Sequence, residues 1–161
     1  MALAPYTTYA DVRAACGVTE EEVPDAVLSL QLYELTLLRD LKGVSASLAA
    51  DFGAWSADGA PALQQAAASA VKLFATYAVA RTLSVGLPLA APKDIGDGKA
   101  TLARFADAPY RAVIERVQAE YEKALAELRS AVEALSGGST STSYGSTFLV
   151  SSPSFDPVLG S

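Results

Sequence analysis

Apolar residues recur with helical spacing over the last long stretch before the C-terminal tail. Between Pro109 and about Leu135 they fall every three or four positions, at Val113, Ile114, Val117, Tyr121, Leu125, Leu128, Val132 and Leu135. Side chains at this spacing share one face of a helix, so the pattern predicts one long amphipathic α-helix that ends at Gly137-Gly138. Arg116 and Glu120, four positions apart, are expected to pair on its solvent side.

Four earlier segments carry the same period together with helix start and stop signals. They predict helices over about Tyr9–Cys16, Asp25–Leu41, Ser45–Trp55 and Pro61–Val85. Thr8 with Asp11 three positions later is an N-capping pair, and Gly17 follows the first helix. The pattern therefore predicts an all-α fold, a helical bundle over residues 1–135 that closes with the long C-terminal helix.

Leucines are too frequent in the second predicted helix for one narrow stripe. The apolar residues there are Val27, Leu28, Leu30, Leu32, Leu35, Leu37, Leu38 and Leu41. We therefore expect this helix to pack on two sides. Gly43 is expected to end it, and Gly86 with Pro88 to end the fourth helix. Leu87–Ala108 then forms the one long connection, of a kind that is usually functional or self-structured.

The last 26 residues, 136–161, have a different composition. Ser, Thr and Gly make up 16 of them, and Asp156 is the only charge. Two apolar runs stand out, namely Phe155–Leu159 and a β-favouring run at Ser146–Val150 that allows one short strand. A flexible linker has no use for such residues. We predict an extended C-terminal docking arm with these partner-binding residues: Thr147, Phe148, Leu149, Val150, Phe155, Asp156, Pro157, Val158 and Leu159.

Composition excludes several kinds of site chemistry. The 161-residue chain contains no histidine and one cysteine, Cys16. An internal disulfide, a Cys/His zinc site and a histidine-dependent triad are therefore ruled out. Cys16 is interpreted as a small buried apolar residue rather than a nucleophile. The net charge of −6 argues against a protein that grips phosphate backbones. We predict no catalytic, cofactor-binding or metal-binding residues and no enzymatic activity.

Four local features invite a functional interpretation, and each has a simpler structural one. Gly96-Asp97-Gly98-Lys99 lacks the upstream glycine and the following Ser or Thr of a phosphate-binding loop, and is interpreted as a polar turn. Glu20–Glu22 is interpreted as a solvated helix start. Arg81, alone among apolar residues, is expected to pair with an acid of the long connection or to lie at a subunit contact. Ala62–Leu87 is interrupted by charges and is interpreted as a buried helix rather than a membrane span.

With these residues in view, the sequence resembles the head–tail adaptor (head–tail connector) proteins of tailed bacteriophages. The resemblance is carried by Tyr9–Val18, Asp25–Leu28, Ile95–Ala100 with Arg104-Phe105, and Ser152–Val158. It touches both ends and the middle of the chain. None of these motifs is a chemical signature.

The resemblance implies a structural virion protein. Such proteins are helical bundles, commonly present in twelve copies as a ring beneath the portal, and a C-terminal arm engages the portal. The implied partners are the portal protein, neighbouring copies, a downstream tail or neck protein, and DNA that passes through the channel without sequence-specific binding. The implied location is the neck of the virion, after assembly in the host cytoplasm, with no membrane. Thr147–Val150 would add a strand to a sheet edge, with Phe155 and Leu159 as anchors.

Two other functions fit the residues. One is a helical scaffold or regulatory module that self-associates through the helix of residues 109–135, with tails exchanged between copies. The other is an enzyme that uses carboxylates with Tyr or Lys. Such an enzyme would need a deep pocket with convergent acids.

Overall fold

The computed structural model describes residues 3–90, 94–96, 101–103 and 108–137. Within these ranges the chain forms six helices and one short antiparallel strand pair. The elements are α1 (Tyr9–Cys16), α2 (Asp25–Leu28), α3 (Gln31–Val44), α4 (Leu48–Trp55), α5 (Ala62–Ala90), β1 (Asp94–Gly96), β2 (Thr101–Ala103) and α6 (Ala108–Leu135). The predicted all-α helical bundle is confirmed, and so is its long C-terminal helix.

The two longest helices form the axis of the bundle. α5 has 29 residues and α6 has 28, so each is about 40 Å long at roughly 1.5 Å per residue. Phe74 of α5 is fully buried, and its ring centroid lies 5.4 Å from that of Tyr121 in α6. β1 and β2 follow α5 and precede α6 along the chain. They pair antiparallel, with Ile95 opposite Leu102.

α1 contacts both long helices, and its contacts show the relative direction of α5 and α6. The thiol of Cys16, at the end of α1, donates to the carbonyl of Ala80 in α5 at 3.5 Å. Arg116, in the first third of α6, donates to the carbonyl of Ala15 at 3.2 Å. The beginning of α6 therefore lies beside the second half of α5, and the two helices run antiparallel.

The ends of α1 follow their sequence signals. The backbone N–H of Asp11 donates to Thr8 Oγ1 at 3.2 Å, which is the predicted cap. Gly17 has φ 72°, the left-handed conformation that ends many helices and that suits glycine. Both predictions are confirmed.

The predicted single helix over Asp25–Leu41 is wrong, because the chain breaks into α2 and α3. The hydroxyl of Ser29 donates to the carbonyl of Ala26 at 2.9 Å, a local bond of the kind that competes with helix continuation. Leu30 then adopts an extended conformation and immediately precedes α3. The break buries Leu28 and leaves Leu30 exposed.

Gly43 does not end α3 as predicted. The helix continues to Val44, and the N–H of Ser45 still donates to the carbonyl of Leu41 at 3.1 Å. One glycine in a last turn costs only about 0.5–1 kcal/mol, which the neighbouring hydrogen bonds offset. α4 consequently begins at Leu48 rather than Ser45.

α5 extends five residues beyond its predicted end at Val85. It runs to Ala90 because Gly86 does not adopt the positive φ of a helix-ending glycine. Pro88 lies inside this helix and, having no N–H, donates no hydrogen bond to the carbonyl of Ser84. The predicted connection Leu87–Ala108 is shorter than expected and contains β1 and β2.

The apolar character of α5 is used in the core. By length and composition, Ala62–Leu87 would be long enough to cross a membrane. In the structure Val71, Phe74 and Ala78 are buried against the other helices. Packing inside the bundle therefore accounts for these apolar residues.

Candidate interaction surfaces

A group of large aliphatic side chains is exposed where α2 meets α3. We call Val27, Leu30, Leu32 and Leu35 the leucine patch; they are 37%, 54%, 61% and 56% exposed. Leu32 and Leu35 are three positions apart and share one helix face. Single exposed leucines are normal, whereas a cluster of them marks an interaction surface.

The prediction that the region of the leucine patch packs on two sides is met on one side only within the described residues. The opposite side of α3 is buried in the core through Tyr33, Leu37 and Leu41. On the patch side, the side chains remain 37–61% exposed within the described chain. One apolar face is therefore used inside the bundle and the other is available to a partner.

An open groove lies between the N-terminal segment with α1 and the middle of α5. We call it the N-terminal groove; its volume is about 740 Å³. Tyr6 and Ala14 line one wall, and Leu73 and Tyr77 line the other. This volume falls within the roughly 300–1,000 Å³ typical of ligand pockets.

A hydrogen bond joins the two walls of the groove, and its lining includes one acidic and one basic residue, Asp11 and Lys72. The hydroxyls of Thr7 and Thr76 are 2.7 Å apart and join the N-terminal segment to α5. Asp11 lines the groove while its carboxylate accepts from the Thr8 hydroxyl at 2.6 Å. Lys72 also lines the groove and is exposed, and it forms no ion pair with any residue that the structure describes. A single carboxylate is not the convergent set of acids that an acid–base enzyme requires.

Arg81 bridges three helices. Its Nη2 lies 3.5 Å from Oδ2 of Asp40 in α3, and its guanidinium carbon lies 4.0 Å from the ring centroid of Tyr121 in α6. Asp40 also accepts from Arg39. Among the described side chains the acidic partner of Arg81 lies in α3; the acids of the long connection, where a partner was predicted, have side chains outside the described residues, and the predicted alternative of a subunit contact stays a prediction. The arrangement is a cross-link within the bundle, through an ion pair and a cation–π contact.

Cys16 is confirmed as a buried residue. It is 2% exposed, and burial raises the pKa of its thiol from 9.0 to about 11, while the nearby positive charge of Arg116 opposes the rise. Arg116 was expected to pair with Glu120 on the solvent side. It points instead to the end of α1, where it donates to the carbonyl of Ala15.

Cys16 is expected to react with iodoacetamide at pH 8 about a hundredfold more slowly in the folded chain than in urea. A thiol pKa of about 11 instead of 9.0 lowers the thiolate fraction by that factor. The raised pKa also means that its contribution to stability is complete below pH 9 and is lost as the pH rises toward 11. Mass spectrometry of alkylated chains measures the rate. Equal rates in the folded and unfolded chain would contradict the burial of Cys16.

Other predicted positions fall into two groups. Glu20, Glu21 and Glu22 are exposed, as predicted, but they lie in a turn rather than at a helix start, because α2 begins only at Asp25. The N–H of Thr19 donates to Glu22 Oε2 at 2.9 Å within this turn. In the described ranges no group of three or more Asp, Glu, Cys or His side chains is placed to bind a metal. The predicted partner-binding residues at 147–150 and 155–159 lie outside the described residues, as does the strand proposed for the arm.

Comparison with protein-family models, curated proteins and solved structures finds no match to this chain.

Proposed function

We propose that this chain is a non-enzymatic structural protein of a tailed-phage virion, a head–tail adaptor. In this role it forms a ring that connects the portal vertex to the tail and continues the DNA channel. The observation that carries the proposal is the leucine patch, a cluster of aliphatic side chains suited to contact with another protein on a small helical body. The resemblance of the motifs supplies the identity of the assembly.

In the proposed ring, every copy uses its leucine patch for the same contact with the next copy. The leucine patch on one copy meets a different surface on the next, which is a head-to-tail contact. Such contacts close into a ring when the rotation between copies permits. Each copy then contributes one C-terminal arm to the portal, and many weak attachments act together.

The charge of the chain suits a channel through which DNA slides. With a net charge of −6, the chain has few means of holding phosphates. Passing DNA is then repelled rather than retained.

The leucine patch also supports a second candidate, a helical scaffold that associates only with itself. It would form oligomers of defined size and would have no affinity for a portal protein. Binding to a portal separates the two functions, and self-association alone does not.

Replacing Leu32 and Leu35 together with glutamate is expected to weaken ring assembly on the portal at least a hundredfold. Each leucine buried at a contact contributes about 1.5–3 kcal/mol, and each factor of ten corresponds to about 1.4 kcal/mol. Electron microscopy of portal particles mixed with the chain counts the bound copies.

The matched control is Leu63→Glu, a similarly exposed leucine (59%) at the start of α5, outside the leucine patch. Circular dichroism should show unchanged helix content in both variants. Normal rings from the double variant, or equal loss in the Leu63 control, would contradict the role of the patch.

A further inference from the structure

We propose that the N-terminal groove binds Phe155–Leu159 of the same chain. The proposed adaptor role does not require this contact, so the two can fail separately. The proposed occupant is a five-residue peptide with an aromatic residue, one acid, one proline and two aliphatic residues.

The walls of the groove match the apolar members of this peptide. Tyr6 and Tyr77 offer aromatic surface, and Leu73 is 42% exposed beside them. A surface of this kind gains from covering Phe155 and Leu159, since both sides remove apolar area from water.

The charges match as well. Asp156 is the only charged residue of 136–161. Lys72 is exposed on the rim of the groove and forms no ion pair with the described part of the chain. Asp11 also lines the groove, but its carboxylate already accepts from the Thr8 hydroxyl, so Lys72 is the charge left to pair with Asp156. The pair adds selectivity more than affinity, because exposed ion pairs contribute only about 0–1 kcal/mol.

The chain is long enough to make the contact within one subunit. α6 runs antiparallel to α5, so Gly137 lies toward the start of α5. Lys72 is ten residues from Ala62, which is about 15 Å along the helix. Gly137 and Phe155 are separated by 18 residues, which reach at most about 60 Å when fully extended. Since the ends are linked, the effective concentration is in the millimolar range, and a weak contact suffices.

The consequence is competition for the end of the arm. A partner that binds Phe155–Leu159 must first displace it from the groove. A copy that has met no partner therefore keeps these apolar residues covered and does not offer them to other copies.

A carbodiimide tests the contact in the full-length chain without any partner. The reagent activates the Asp156 carboxyl, the Lys72 amine attacks it, and an amide forms while the carbodiimide leaves as a urea. We expect a cross-linked peptide pair that joins Lys72 to Asp156, found by mass spectrometry. Lys42, exposed on α3, should give no pair with Asp156.

Mixing equal amounts of ¹⁴N- and ¹⁵N-labelled chains identifies the source of the arm. Within one chain, both cross-linked peptides carry the same isotope. Mixed-isotope pairs at half of the total would assign the arm to a neighbouring copy and overturn the proposal. So would the absence of the Lys72 pair, or an equal yield from Lys42.

A charge reversal provides a readout independent of cross-linking. Lys72→Glu removes the attraction for Asp156 and places a second acid beside Asp11 in the groove, so hydrogen exchange of the groove segment of residues 4–15 should be at least threefold faster than in the unchanged chain. The matched control Lys42→Glu should leave the exchange of this segment unchanged. Unchanged exchange in Lys72→Glu would contradict occupation of the groove.

Discussion

Replacing Phe74 with alanine is expected to lower the free energy of unfolding by about 3–5 kcal/mol. Phe74 is 0% exposed, and its ring lies 5.4 Å from Tyr121, where α5 meets α6. The substitution removes most of a large side chain from the contact between the two longest helices and leaves a cavity. A domain of this size has a total stability of about 5–15 kcal/mol, so the loss is a substantial share. Urea unfolding followed by circular dichroism measures it.

The adjacent residue provides the matched control. Leu73 belongs to the same helix but is 42% exposed in the wall of the N-terminal groove. Leu73→Ala is therefore expected to cost less than about 1 kcal/mol. Equal losses in the two variants would contradict the orientation of α5 in the bundle.

The ends of α1 and the extent of α6 were predictable because their signals are local. Thr8 caps α1 by accepting from the N–H of Asp11, only three residues later. Gly17 ends α1 with a positive φ, which its lack of a side chain permits. α6 begins at Ala108 and ends at Leu135, within one residue of the prediction. Its amphipathic period is long and regular, which makes it the clearest kind of sequence signal.

Errors arose where a local signal has two structural outcomes. A glycine such as Gly86 can either end a helix with a positive φ or remain inside the helix. The local sequence does not predict which conformation it adopts, and Gly86 does not have a positive φ. Ser29 reads as an ordinary helical residue, yet its hydroxyl bonds to the carbonyl of Ala26 at the break between α2 and α3. The break at Ser29 places Leu28 in the core, and such tertiary packing is not visible in the local sequence.

The candidate surfaces were only partly predictable. The large number of leucines in α2 and α3 predicted two apolar faces. The sequence did not indicate which of these two faces would remain exposed. The N-terminal groove had no sequence signal, since its walls come from segments about 60 residues apart. Arg116 was likewise misjudged, because its partner Ala15 lies 101 positions away. Pairings at such separations are set by the packing of whole helices.

Stopping the chain after Ser136 is expected to abolish portal binding, with a loss of at least a hundredfold, while the bundle stays folded. Residues of the described core lie between Leu3 and Val132. The stability of the shortened chain should therefore differ by no more than about 1 kcal/mol. Binding should be lost because the apolar anchors Phe155 and Leu159 are gone, and with them the combined attachment of many arms, which can exceed a single arm by 10²–10⁴.

The most direct test of the adaptor proposal is a binding measurement against the portal protein encoded nearby in the same genome. Full-length chain and the chain stopped after Ser136 are compared, and electron microscopy records rings. We predict rings on the portal with the full-length chain alone. Failure of both chains to bind, or equal binding of the shortened chain, would contradict the account.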